Sequence, residues 1–169
     1  MPTDGELVAL CARLHPQLVG TLTICCGDRG VAEELAQEAL IRLWDRWPSV
    51  ARMDSPEGWT HHVAMNLARS WLRRRAAERR ALRRLGPAPD ADTGLDAGDV
   101  LALRRAVACL PPRQRAVIAW RFYAGLNVAQ TADVLGCAPG TVKSLTSKAT
   151  VALRKYAGFV VPDGEGGRP

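Results

Sequence analysis

Residues 127–156 read NVAQTADVLGCAPGTVKSLTSKATVALRKY. Asn127, with Gln130 three residues on, can cap a helix reciprocally. Gly136 ends that helix, and Pro139 falls in the first turn of a last helix that reaches about Tyr156. A short helix, a tight glycine turn and a longer helix are the grammar of a helix-turn-helix, with Ala132, Val134, Leu135 and Val142 facing inward. On the last helix Val142, Thr146, Ala149, Leu153 and Tyr156 fall on one stripe. Lys143, Ser144, Ser147 and Lys148 project the other way over roughly 140°. Short donors for base edges beside ammonium groups for phosphates suit a recognition helix. The alternative is an amphipathic helix whose polar face simply meets water.

Upstream of this motif, Gly125 ends a helix that starts at about Arg113, and Pro111-Pro112 divides it from one that begins near Val100. Residues 86–99, GPAPDADTGLDAGD, hold one large apolar side chain and cannot build a core, which predicts a linker. A flexible coil of that length reaches roughly 20 Å on average. Ser55-Pro56 is an N-cap followed by a proline in the first turn, so a helix starts there and runs through Arg75, as far as Arg84 at most. Thr60, Val63, Ala64, Leu67 and Trp71 share its apolar side; Trp59, His62, Asn66, Ser70 and Arg73 share another. A helix from about Val31 to Trp47 carries the stripe Leu35, Ala36, Ala39, Leu40, Leu43 and Trp47, with Pro48 as its stop. Thr3 and Glu6 form a capping box for the first helix, which Pro16 is expected to interrupt and Gly27 to Gly30 to end. No run of alternating β-branched residues argues for a sheet.

The helix that opens at Ser55 concentrates Trp59, Trp71, His61, His62 and Asn66 just ahead of Arg69, Arg73, Arg74 and Arg75. Aromatic faces that stack on bases, beside a cationic track for phosphates, are how single-stranded nucleic acid is held. Trp71 lies on the apolar stripe and fits core burial better; Trp59 lies nearer the polar side. His61 and His62 point about 100° apart with no Cys or carboxylate to complete a tetrahedral set, so no metal or other cofactor is expected.

Charge is distributed to match. The chain of 169 residues carries a net +6, yet residues 1–68 are net −4, 69–84 net +7, 85–100 net −4 and 101–157 net +8. Two basic blocks around an acidic strip read as two surfaces for a polyanion. Composition is ordinary for a globular protein, with 47% apolar and 24% charged residues, which excludes wholesale disorder. Polar residues break the apolar stretches short of the ~20 that cross a bilayer, and the N-terminus lacks a basic, apolar leader. A cytoplasmic protein without membrane contact is expected. Its five cysteines (Cys11, Cys25, Cys26, Cys109, Cys137) form no CxxC pair and read as reduced thiols.

Four stretches in order resemble the extracytoplasmic-function (group 4) sigma factors of the bacterial sigma-70 family: AEELAQEALIRLW (32–44), PEGWTHHVAMNLARSWLRRR (56–75), LPPRQRAVIAWRFYAGL (110–126) and VAQTADVLGCAPGTVKSLTSKATVALRKY (128–156). The resemblance implies a non-catalytic protein that binds core RNA polymerase and directs promoter recognition, DNA melting and transcription initiation. Glu34, Gln37 and Glu38 match positions that dock on the polymerase. Asn66 matches a position beside the loop for a flipped base of the -10 element, and Arg73 and Arg74 match positions facing the DNA backbone. With Trp59, His62 and Arg69 these make the candidate -10 set. Thr141, Lys143, Ser144, Ser147 and Lys148 make the candidate -35 set. An anti-sigma factor is a further candidate partner.

The chain departs from the family pattern at Ser70, His62, Leu145 and Thr150. Leu145 and Thr150 replace the usual arginines of the recognition helix, which implies weaker phosphate anchoring there. A repressor-type regulator would account for residues 101–157 but not for 31–75, and a non-DNA helical adaptor would show no salt-sensitive DNA affinity. An enzyme fits least, since no nucleophile triad or phosphate-binding glycine loop is present. The expected architecture is all-α: a region 2 bundle over 5–84, a flexible linker over 85–99, a region 4 helix-turn-helix over 100–157 and a disordered tail over 158–169.

Overall fold

The computed structural model describes residues 4–83 and 98–157. The Thr3 cap, linker residues 85–97 and the tail 158–169 therefore lie outside the described residues. The chain forms α1 (Asp4–Cys26), α2 (Arg29–Val50), α3 (Pro56–Arg83), α4 (Gly98–Ala108), α5 (Pro112–Ile118), a π-helical segment (Ala119–Tyr123), α6 (Val128–Leu135) and α7 (Pro139–Ala157). Among the described residues there is no strand.

Local chemistry sets most of the boundaries. The Val31 amide donates to the Asp28 carboxylate at 3.1 Å and the Gly58 amide to the Ser55 hydroxyl at 2.9 Å, so both helices start on side-chain caps. Asn127 and Gln130 exchange bonds of 2.9 and 2.8 Å, closing the expected capping box. Gly136 ends α6 at φ 58°, a left-handed conformation that costs glycine little.

Two prolines act differently from expectation. α1 runs unbroken through Pro16, and α2 continues past Pro48 to Val50. Each proline removes one helical hydrogen bond, but packing on both sides holds the helix in line. Leu14 and Leu18 flank Pro16 in the core, and Trp47 and Val50 flank Pro48. The expected breaks at apolar stretches also fail for α1, whose 23 residues are long and apolar enough to cross a bilayer. Here it is a core helix, with Leu7, Leu14, Leu18 and Leu22 at most 2% exposed.

α1 lies along both α2 and α3. Leu14, Leu18 and Leu22 meet Ala32, Ala36, Ala39, Ala64 and Ala68 in one cluster, where the small side chains admit close helix approach. A second cluster of Leu7, Leu43, Trp47 and Val50 closes the far end. In the C-terminal half, Ala106 and Leu110 pack on Ala149 and Leu153, tying α4 to α7. The halves are not separate cores. Ala116, Val117, Trp120, Val134 and Val142 belong to the same cluster as Leu14, Leu18 and Met65.

Candidate nucleic-acid interface

α7 carries the clearest outward face. Val142, Ala149 and Leu153 are buried, and Thr146 bonds back to the Val142 carbonyl at 2.8 Å. That fixes the rotation of the helix. Lys143, Ser144, Ser147 and Lys148 are consequently exposed together. Thr141 is half-buried and Leu145 packs against the core. Leu145 thus packs inward where the family pattern places a cation, and the exposed ammonium groups on the outward side of α7 are Lys143, Lys148 and, two turns on, Lys155.

α3 presents its candidate residues on two sides. His62, Asn66, Arg73 and Arg74 are exposed, and Arg69 is half-buried. Arg69 donates to Asn66 Oδ1 at 3.2 Å, and Arg73 donates to the Ser70 hydroxyl at 3.1 Å, so each guanidinium is steered by its helix. Burial, with Arg113 close by, lowers the pKa of Arg69. Trp59 is half-buried and packs against the Leu7, Leu43, Trp47 and Val50 cluster, which turns it from the polar side toward the core. Trp71 lines an open cleft of about 590 Å³ with Arg74, Arg75, Arg79 and the α1–α2 turn.

His61 is buried, unlike its neighbour His62. With Met65 and Ala68 it forms a second buried stripe on α3, which the sequence reading missed. The spacing of 61, 65 and 68 is helical, and this was its available signal. The stripe meets Trp120 of the π-helical segment, whose indole donates to Met65 Sδ at 3.2 Å. No group of three or more His, Cys, Asp or Glu residues suited to a metal occurs among the described residues.

On α2, Glu34 and Gln37 are exposed and Glu38 is half-buried, paired with Arg42 at 2.8 Å. Ile41 and Trp44 share that face and are 56% and 54% exposed. Two large apolar side chains therefore stand in water beside these carboxylates.

Comparison with known proteins agrees with this layout. Residues 10–78 match the family described as Sigma-70 region 2, and residues 101–153 match Sigma-70, region 4. The chain is 32% identical over 124 residues to the RNA polymerase sigma-E factor of Streptomyces antibioticus, covering 73% of this chain and 69% of that one. This chain belongs to the extracytoplasmic-function sigma factors of the sigma-70 family.

Other relatives place the sigma factor similarly. It is 29% identical over 172 residues to ECF RNA polymerase sigma factor SigM of Mycobacterium tuberculosis, covering 94% of this chain and 86% of that one. Its fold is shared with the sigma factor RpoE solved in complex with the anti-sigma factor NepR from Bartonella quintana. That match has a TM-score of 0.69 at 24% identity over 90% of this chain and 94% of that one. The two matched regions correspond to α1–α3 and α4–α7, so the candidate -10 and -35 residues fall in different regions.

Proposed function

We propose that this sigma factor docks on core RNA polymerase through α2 and positions promoter DNA with α3 and α7. Glu34, Gln37, Glu38, Ile41 and Trp44 form the docking face, apolar at its centre and acidic at its edge. His62, Asn66, Arg69, Arg73 and Arg74 on α3 hold the melted -10 strand, with Trp59 packed behind them. Opening a duplex costs a few kcal/mol, which captured bases and neutralised phosphates return. Thr141, Lys143, Ser144, Ser147 and Lys148 address the -35 element in the major groove. The protein supplies binding and positioning, and the polymerase supplies the chemistry, which makes the sigma factor a non-catalytic, cytoplasmic initiation factor. An anti-sigma factor is a fitting regulator, since the similarly folded RpoE is bound by one.

The observation that carries this reading is the exposed Lys143, Ser144, Ser147 and Lys148 face on the second helix of a capped helix-turn-helix. Run-off transcription with purified core polymerase on a genomic library tests it. Promoter-specific transcripts are expected with the wild type. Their complete absence, with no co-purification of polymerase, would overturn it.

A further inference from the structure

Three guanidiniums stand around a small cleft between α3, α5, α6 and α7, about 290 Å³ in volume. Arg69 and Arg73 enter it from α3, and Arg113 enters it from the first turn of α5. Among the described residues none of the three pairs with a carboxylate, and no carboxylate lines the cleft. Arg69 donates to Asn66 and to the Leu135 carbonyl, and Arg73 donates to Ser70, so their acceptors are neutral oxygens. Burial lowers the pKa of Arg69, and the charges of Arg113 and Arg73 lower it further. Like charges are held close here with nothing to offset them.

Most of the remaining lining is apolar. Met65, Ala116 and Leu135 are buried and give the cleft an apolar floor. Leu72 and Leu145 are half-buried beside them. Leu145 is a feature of this chain: it stands where the family pattern places an arginine, which would put a fourth cation into the wall. An apolar floor under a cationic rim suits a ligand of matching make-up. The floor removes apolar area from water, while guanidiniums donate in pairs to carboxylate or phosphate oxygens. Ligand clefts span roughly 300–1,000 Å³. This one lies at the small end and admits one compact molecule.

We infer that the cleft binds a small amphipathic anion, with one carboxylate or phosphate head held by Arg69, Arg73 and Arg113 and a compact apolar body resting on Met65, Leu135 and Leu145. The head supplies the counter-charge that the chain does not. Arg69 and Arg73 are shared with the -10 set, whereas Arg113 and Leu145 belong to no DNA or polymerase set. The inference goes beyond the proposed function, and it is read without polymerase or promoter.

Isothermal titration of the full chain tests it. 1-Naphthoate and 1-naphthyl phosphate carry the two heads on one apolar body; 1-naphthamide lacks the charge, and inorganic phosphate lacks the body. At least one naphthyl anion is expected to bind one-to-one, about tenfold or more tighter than 1-naphthamide and inorganic phosphate. The tighter of the two names the head. Arg113→Gln removes one charged donor from an exposed position and should weaken binding about tenfold. Leu145→Arg adds a cation but takes away an apolar wall, and it too should weaken binding about tenfold. A general attraction of anions to a basic surface would strengthen it instead. Unchanged or tighter binding by Leu145→Arg, or naphthyl anions no tighter than their controls, overturns the site. If Leu145→Arg fails to fold by circular dichroism, Arg113→Gln decides by the same titration, and unchanged affinity overturns the site. Co-purification with core polymerase, measured in parallel, reports on the sigma-factor reading and not on the cleft.

Discussion

The His61 imidazole and the Trp120 indole, one from each sigma region, lie 5.1 Å apart between ring centroids at an angle of 54°. His61 Nε2 is buried without a hydrogen-bond partner. Burial lowers the pKa of His61 below its ordinary 6.5; Glu57 pulls it up and Arg13 pulls it down, and those two are bridged to each other at 2.8 Å. The packed state therefore resists a proton that the unfolded state accepts. Stability from the neutral ring is full above about pH 6.5 and is lost as pH falls from there through the lowered value. Thermal melts between about pH 7.5 and 5 should show a falling Tm for wild type and a flatter profile for His61→Phe. Parallel profiles would reject this role for His61.

What could be read from sequence was what neighbouring residues settle among themselves. The Asn127–Gln130 capping box, the Gly136 turn and the Ser55 cap need no distant partner, and each forms as expected. The outward set on α7 followed from a stripe whose described members Val142, Ala149 and Leu153 are buried. Pro16 and Pro48 misled because a lost hydrogen bond is a local cost, whereas the packing that outweighs it comes from other helices. The closure between regions was not legible either. Trp120 is far in sequence from His61 and Met65, so the helical spacing of 61, 65 and 68 could mark a stripe without naming what buries it. The candidate sites were legible as types of residue on α3 and α7, but not the meeting of Arg69 with the last turn of α6.

Lys143 and Lys148 are exposed and contribute little to folding. Converting both to Ala should leave thermal stability within about 0.5 kcal/mol. Each lost phosphate contact should reduce the salt slope of promoter binding by about 0.9. Salt titration of the holoenzyme on duplex promoter DNA checks this, and promoter-specific transcription should fall with it. Initiation at wild-type level would displace the recognition face from α7.

Trp44 and Ile41 offer the docking face its apolar area, whereas the Glu38–Arg42 pair is solvent-exposed and worth little by itself. Trp44→Ala should therefore weaken core polymerase binding by roughly tenfold or more, as aromatic anchors do. Gln37→Ala with Glu38→Ala should lower it further, with the melting temperature unmoved in every case. A competition assay for core polymerase reads the effect. Wild-type competition by Trp44→Ala would move the docking face off α2.

The five cysteines are free, but burial sets them apart. Desolvation pushes Cys25 up to about 12, with Cys26 adding to it and Arg115 opposing it; Cys26 is pushed up to about 11. Near pH 8 the reactive thiolate is then about one part in a thousand at Cys26 and less at Cys25. Iodoacetamide should label exposed Cys109 first and leave Cys25 for last, as followed by mass spectrometry of peptides. Arg115, the cation facing Cys25 and Cys26, comes from the C-terminal region. Equal rates at Cys25 and Cys109 in the wild type would mean that the end of α1 is not packed as described.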